Sequence, residues 1–281
     1  MMSEVKRRSA TQASLIYRIF RVVAIVVVVL GFILPILWMV LASFKSGLDI
    51  YNAARTFIFT PTIRNYLTVF AEQNFLKYFL NSLIIGAGST GFSLLLGVPA
   101  AYGMARFTMN RSANVVLLAR VIPSISLIVP WYAIFAWTGL VGGYPAVIVA
   151  HMFTALPLIV WIMMPYFQGL PIDLEEAGQV DGLTPIGAFL RVTLPLSAPG
   201  IATSGILAFI FSWNMFLFSL VLTGSKTRTL PVAIMNFIGY ASIDWGGLMA
   251  ATASITVPIM VISIFFQKYV VAGMTAGAQK G

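Results

Sequence analysis

Hydrophobic and polar positions along this chain separate into long uncharged blocks joined by short charged segments. The first block, Val22 to Phe44, runs 23 residues without a charge, and the second, Tyr78 to Ala105, runs 28. Val121 to Ile172 spans 52 residues, and Val192 to Ser225 and Trp245 to Gln267 follow. A bilayer core about 30 Å thick is crossed by about 20 apolar residues in a helix. Each block therefore holds one span, except the third, which holds two. Thr138-Gly139-Leu140 and Gly142-Gly143-Tyr144-Pro145 divide that block, because paired Gly and Gly-X-Pro punctuate turns. The pattern predicts six helices near residues 20–43, 78–103, 113–136, 145–167, 197–222 and 247–268. The expected fold class is all-α, a polytopic membrane protein. A β-barrel is excluded, since barrel strands alternate with period two and these blocks are solidly apolar.

Composition agrees. Of 281 residues, 59% are hydrophobic and 9% charged, against about 25% charged in soluble domains. That excludes an ordinary soluble enzyme and a disordered chain. The absence of cysteine excludes disulfides, thiolate metal sites and a cysteine nucleophile. The net charge of +9 reads as a positive-inside bias and says little about nucleic acid. With the N-terminus inside, Lys6, Arg7, Arg8, Arg18, Arg21, Arg106, Arg111, Arg191, Lys268 and Lys280 lie inside. Lys45, Arg55, Arg64, Lys77, Lys226 and Arg228 lie outside, ten against six. Six spans then leave both termini cytoplasmic. The first block is too long for the apolar core of a cleaved leader and reads as an uncleaved helix.

Three hydrophilic segments join the spans: the outer segments 44–77 and 223–246, and the inner segment 166–196. The inner one holds Asp173, Glu175, Glu176 and Asp181, four of the eight acids, beside a single base, Arg191. An acidic cluster on a basic face points to a partner contact. Pro171 suits a first helical turn, where the helix dipole favours Asp173, Glu175 and Glu176. Asp181-Gly182 breaks that helix. Thr184 caps a second one with Pro185 at its first position, and Ile186, Phe189 and Leu190 give it one apolar face. The expectation is a helix–turn–helix elbow, or, more blandly, a connecting loop that happens to be helical.

Glu176-Ala177-Gly178, three residues, Gly182, nine residues, Val192, one residue, then Leu194-Pro195 resembles the EAA loop of ABC importer permeases. Gly178 stands where the pattern has Ala and Val192 where it has Ile; Gly costs about 1 kcal/mol against Ala in a helix. The resemblance extends to Phe44-Lys45, Pro61, Asn65-Tyr66, Asn81-Ser82 and the run Ala100-Ala101-Tyr102-Gly103-Met104-Ala105-Arg106-Phe107. It continues through Trp213-Asn214 and Thr229-Leu230-Pro231. The C-terminal residues Phe266-Gln267-Lys268-Tyr269 and Thr275-Ala276-Gly277-Ala278-Gln279-Lys280-Gly281 also match. The chain is thus similar over nearly its whole length to maltose-transporter-like permease subunits of bacterial inner membranes.

This resemblance implies an ABC type I permease fold: residues 1–77 as tail, first helix and outer loop, 78–268 as permease core with a cytoplasmic coupling elbow at 171–195, and 269–281 as tail. It implies a second, sister permease, two cytoplasmic ATPase subunits, an extracytoplasmic solute-binding protein and a sugar, polyol or glycoside as substrate. Glu175, Glu176, Ala177, Gly178, Asp181, Gly182, Leu194 and Pro195 become ATPase-coupling residues, with Glu176 pairing a base of the ATPase. No cofactor is expected on this chain. A P-loop needs G-x-x-x-x-G-K-[ST], and Lys226-Thr227 follows Ser225, so ATP and Mg belong to the partner.

Other motifs are weighed against plainer readings. Gly86-Ala87-Gly88-Ser89-Thr90-Gly91 spells a dinucleotide fingerprint, but inside a span it reads as small-residue helix packing. Asn110-Arg111-Ser112 is a sequon in an expected cytoplasmic loop. His151, the single histidine, reads as a packed, hydrogen-bonded side chain before a ligand. Arg120, a charge inside the third span, either snorkels or lines a polar pathway favouring an anionic group. Asn214 with Trp213 and Phe216 joins amide and aromatic faces, as sugars require; helix packing is the alternative. A secondary carrier is the rival class, and the expected spans hold no Asp or Glu to relay protons.

Overall fold

The computed structural model describes residues 2–239 and 242–276, and side chains over 17–109, 111–239 and 242–267. Among the described residues the chain is helical, with two isolated bridges and no strand. The principal helices are α1 (Met2–Ser43), α2 (Phe75–Arg106), α3 (Asn110–Leu118), α4 (Ile128–Trp137) and α5 (Tyr144–Gly169). There follow α6 (Asp173–Val180), α7 (Pro185–Leu196), α8 (Ala198–Trp213), α9 (Leu217–Leu222) and α10 (Trp245–Ala276). The C-terminal matches beyond Ala276, and the side chains of Lys268 and Tyr269, lie outside the described residues.

Among the described residues, four helices are long and apolar enough to cross a membrane: Tyr17–Ser43 within α1, then α2, α5 and Trp245–Gln267 within α10. The helices expected at 113–136 and 197–222 are not continuous. The first breaks at residues 119–123, where Pro123 takes an extended ψ of 129°; a proline also drives the residue before it out of helix. The second breaks at Asn214, whose Nδ2 donates to the Ile210 carbonyl at 2.8 Å. Such side-chain bonding competes with the helical ladder, and α9 restarts at Leu217. α7 and α8 meet at 74°, which makes the elbow a distinct direction of chain.

The chain divides into two compact units. In the unit formed by residues 1–69 and 237–254, Asn65 Nδ2 donates to the carbonyls of Ser43 and Lys45 at 2.7 and 2.8 Å. Lys45 is buried and donates to the Thr56 carbonyl, its ammonium lying 4.8 Å from the Trp38 ring centroid. Phe44, Lys45, Asn65 and Tyr66 thus tie the segment after α1 together.

The unit formed by residues 70–236 and 255–281 holds α2 to α9, with α2, α5 and α8 packed around a core that includes Val98, Leu158, Ile159, Met163 and Phe167. Small residues permit this approach. A methyl at Gly86 would stand 2.9 Å from the Phe209 ring, and one at Gly88 would stand 2.9 Å from Ile148. Two glycines of the apparent nucleotide motif are therefore helix-packing contacts. His151 is 1% exposed; its Nδ1 lies 2.7 Å from Ser212 Oγ and its Nε2 3.2 Å from Ser219 Oγ, while Ser89 donates to Ser212. This polar cluster joins α2, α5, α8 and α9, as the packed reading of His151 anticipates. At the opposite end of α2 from the elbow, Asn81 Nδ2 donates to the carbonyls of Lys226 and Arg228, Tyr144 donates to Asn81 Oδ1, and Ser82 Oγ accepts from Leu230 N–H.

Candidate functional site: the elbow and the broken helices

The elbow follows from its local sequence. α5 ends at Gly169, and α6 begins after Pro171 with Asp173, Glu175 and Glu176 in its first turn. Gly182 has φ +93°, a left-handed position that glycine adopts without strain. There the Asp181 and Leu183 N–H groups bond back to Ala177 and Gly178 carbonyls at 3.0 Å, closing the helix end. Thr184 Oγ1 accepts from Gly187 N–H at 3.1 Å and Pro185 fills the first helical position. The π-turn Phe189–Thr193 continues α7, and Ser197 Oγ donates to the Thr193 carbonyl at the bend into α8.

A buried ion pair holds this elbow to the spans. Arg106, at the last turn of α2, donates through Nε and Nη2 to Glu175 Oε1 at 2.9 and 2.5 Å, and through Nη1 to the Leu170 carbonyl. Tyr102, one turn earlier, donates its hydroxyl to Glu175 Oε2 at 2.7 Å. Its ring packs on Phe189 at 4.4 Å and Phe167 at 5.6 Å. Burial alone would raise the Glu175 pKa, but the hydrogen bonds from Tyr102 and Arg106 outweigh it and hold the carboxyl below its usual range. One patch of α2 thereby fastens both elbow helices and the end of α5.

The two adjacent glutamates therefore differ. Glu175 is 5% exposed and satisfied within the chain, so it is not presented to a partner as expected. Glu176, Ala177, Asp181, Gly182 and Pro195 are exposed, and Gly178 and Leu194 half-buried. The apolar face of α7 also divides: Phe189 is buried, whereas Ile186 and Leu190 are 72% and 52% exposed. The departures Gly178 and Val192 touch, since a methyl at 178 would sit 3.3 Å from Val192 and from Leu183. Tyr102 and Arg106 escaped sequence reasoning as partners of Glu175, although their spacing of four sets them on one helix face.

The candidate pathway residues are only partly assembled. Trp213 is 3% exposed, wedged against Phe79 and Phe209 with ring centroids 5.4 and 5.7 Å away. Asn214 is exposed and Phe216 half-buried, so the expected sugar-binding cluster does not share one face. Arg120 is not inside a helical span; it lies exposed in the break after α3, its guanidinium 5.2 Å from the Trp161 ring centroid. It borders a cavity of about 220 Å³.

Fold and site together define the class: a polytopic all-α membrane protein with a helix–turn–helix pinned against the ends of its spans. The chain belongs to the family of binding-protein-dependent transport system inner membrane components, whose model matches residues 93–276. The trehalose transport system permease protein SugB of Mycobacterium tuberculosis is 38% identical over 255 residues, 89% of this chain and 93% of that one. The sulfoquinovosyl glycerol transport system permease protein SmoH of Agrobacterium fabrum is 32% identical over 266 residues, 93% of each. Among solved structures, a bacterial ABC transporter involved in the import of the acidic polysaccharide alginate shares the fold. Its TM-score is 0.78 at 19% identity, covering 90% of this chain and 96% of that one. The MetNI methionine ABC transporter overlaps with TM-score 0.56 at 20% identity, covering 70% and 95%.

Proposed function

We propose that this chain is one of two permease subunits of an ATP-driven importer that carries a carbohydrate across a bacterial inner membrane by alternating access. Both termini and the elbow lie on the cytoplasmic side, where the elbow meets one of two ATPase subunits that use ATP and Mg. A sister permease completes the pathway, and an extracytoplasmic solute-binding protein delivers the substrate. The sugar class rests on the names of the relatives, which include permeases for trehalose, sulfoquinovosyl glycerol and trehalose/maltose.

The observation that carries this reading is the asymmetry of the elbow. Its inner side is fastened by the Arg106–Glu175 pair, whereas Glu176, Asp181, Ile186 and Leu190 stay exposed. A surface held rigidly from behind, apolar with acidic neighbours, suits docking into a basic-rimmed cleft. ATP-driven closure of the ATPase dimer would push on that surface, and the pinned elbow would pass the motion to the spans as a rigid body.

The test is affinity purification of the chain from its native membrane, with ATPase assay of what accompanies it. The reading expects an ATPase that co-purifies with wild type and is lost with Glu176→Lys. A chain that purifies alone and transports in an ion gradient without ATP overturns it.

A further inference from the structure

Arg120 occupies an unusual electrical position. The chain carries no Asp or Glu between Glu72 and Asp173, nor between Asp181 and the C-terminus other than Asp244. Among the described residues its guanidinium pairs with no carboxylate; the two ion pairs are Arg55–Asp49 and Arg106–Glu175. A charge between the apolar segments of a membrane protein, without a carboxylate partner, is by default a functional-site candidate.

Its surroundings are built as a binding site. The cavity of about 220 Å³ is lined by Arg120 and Ser124 from the break between α3 and α4, Thr154 and Leu158 from α5, and Phe211 and Met215 beside the break between α8 and α9. Two interrupted helices thus converge on one cavity, and irregular backbone at membrane depth is tolerated where it lines such a space. Thr154 is ten residues from one end of α5 and fifteen from the other, about 15 and 22 Å at 1.5 Å per residue. That is near mid-depth, where discontinuous helices form transporter substrate sites. The volume holds about seven waters at roughly 30 Å³ each, room for a single sugar ring.

The polar groups specify the ligand. Arg120 offers N–H donors in a fork that matches paired oxygens. Thr154 Oγ1 already donates to the His151 carbonyl at 2.9 Å, so it presents only lone pairs there. The donors of the site are the Arg120 guanidinium and the Ser124 hydroxyl, and the site carries one positive charge with no carboxylate partner among the described residues. We infer that this cavity is an anion-reading subsite, in which Arg120 takes the carboxylate or sulfonate of an acidic sugar while Ser124 and Thr154 meet its hydroxyls. This rests on the chain being a permease and names the substrate class of its pathway. A lipid headgroup could present the same chemistry, but depth disfavours it.

The assembled complex, in nanodiscs of phosphatidylcholine, is titrated with glucuronate and with glucose at matched ionic strength, following tryptophan fluorescence. Trp161→Phe identifies the signal from the ring beside Arg120. The inference expects saturable quenching by glucuronate and none by glucose. Arg120→Gln should weaken glucuronate about tenfold or more, the loss of one charge-assisted pair. Arg120→Lys should recover part of it. Should Arg120→Gln fail to assemble, Ser124→Ala and Thr154→Val serve in its place, each weakening glucuronate severalfold. Equal quenching by glucose overturns the acidic class. Quenching that appears only with phosphatidylglycerol in the disc assigns the site to a headgroup and overturns it too. Titration unchanged in all these variants overturns the site itself. Co-purifying ATPase activity, measured on the same samples, reports separately on the importer reading.

Discussion

At the scale of single residues, neighbouring carboxylates divide labour by the direction in which α6 presents them. Glu175 is enclosed by Tyr102 and Arg106, and Glu176, one helical step on, faces outward. Removing one member of a buried pair strands the other charge and costs about 3–5 kcal/mol. Glu175→Ala should therefore lower the thermal midpoint of the purified complex well below that of Glu176→Ala, read by unfolding-coupled fluorescence. The pH dependence has a definite sign. The folded Glu175 pKa lies below its reference value of 4.5, so the pair stabilises fully above about pH 4.5 and weakens as pH falls through the folded value. Amide exchange across residues 173–180 should rise on acidification below that range, and in Glu175→Gln the rise should vanish. The alternation of burial along Glu175-Glu176 was not legible in the sequence, because no partner on α2 announces itself without the fold.

At the scale of elements, legibility depends on whether the signal is local. Gly182, Thr184 and Pro185 carry their turn and cap in their own chemistry, and the structure uses each as anticipated. Thr184→Ala should cost about 1 kcal/mol locally, as capping losses do, seen as faster exchange at the Gly187 amide. The interruptions at residues 119–123 and 214–216 were hidden because apolar composition is the same in a straight helix and a broken one. Pro123 was the available clue to the first. Asn214 gave a weaker one, since its side chain must find the Ile210 carbonyl before the helix yields. Asn214→Leu removes that competing bond, and the expected outcome is reduced substrate-stimulated ATPase activity in the complex. An unaltered rate would mean that the break does not need its amide.

At the scale of the whole molecule, the uncharged blocks predict six spans, whereas among the described residues four continuous helices are long and apolar enough to cross a membrane. Sidedness rests on the distribution of Lys and Arg. The chain has no cysteine of its own, so single reporters are unambiguous. Gln179→Cys in the elbow and Lys226→Cys beyond α9, both at exposed positions, should react with a membrane-impermeant maleimide from opposite faces of sealed vesicles, Gln179→Cys from the cytoplasmic face. Labelling of both from one face would refute the six-span arrangement.

The 74° corner between α7 and α8 has a mechanical corollary. Ser197 stitches both arms: its N–H bonds back to Thr193 and Leu194 and its hydroxyl to Thr193 in α7, while its carbonyl accepts from the Ile201 N–H in α8. Such a joint behaves as a bell crank. With α7 about 18 Å long at 1.5 Å per residue, a tilt of about 10° sweeps its far end through about 3 Å. On the reading proposed above, a stroke of that size on one arm would emerge as rotation of the other, turned through 74° toward the spans.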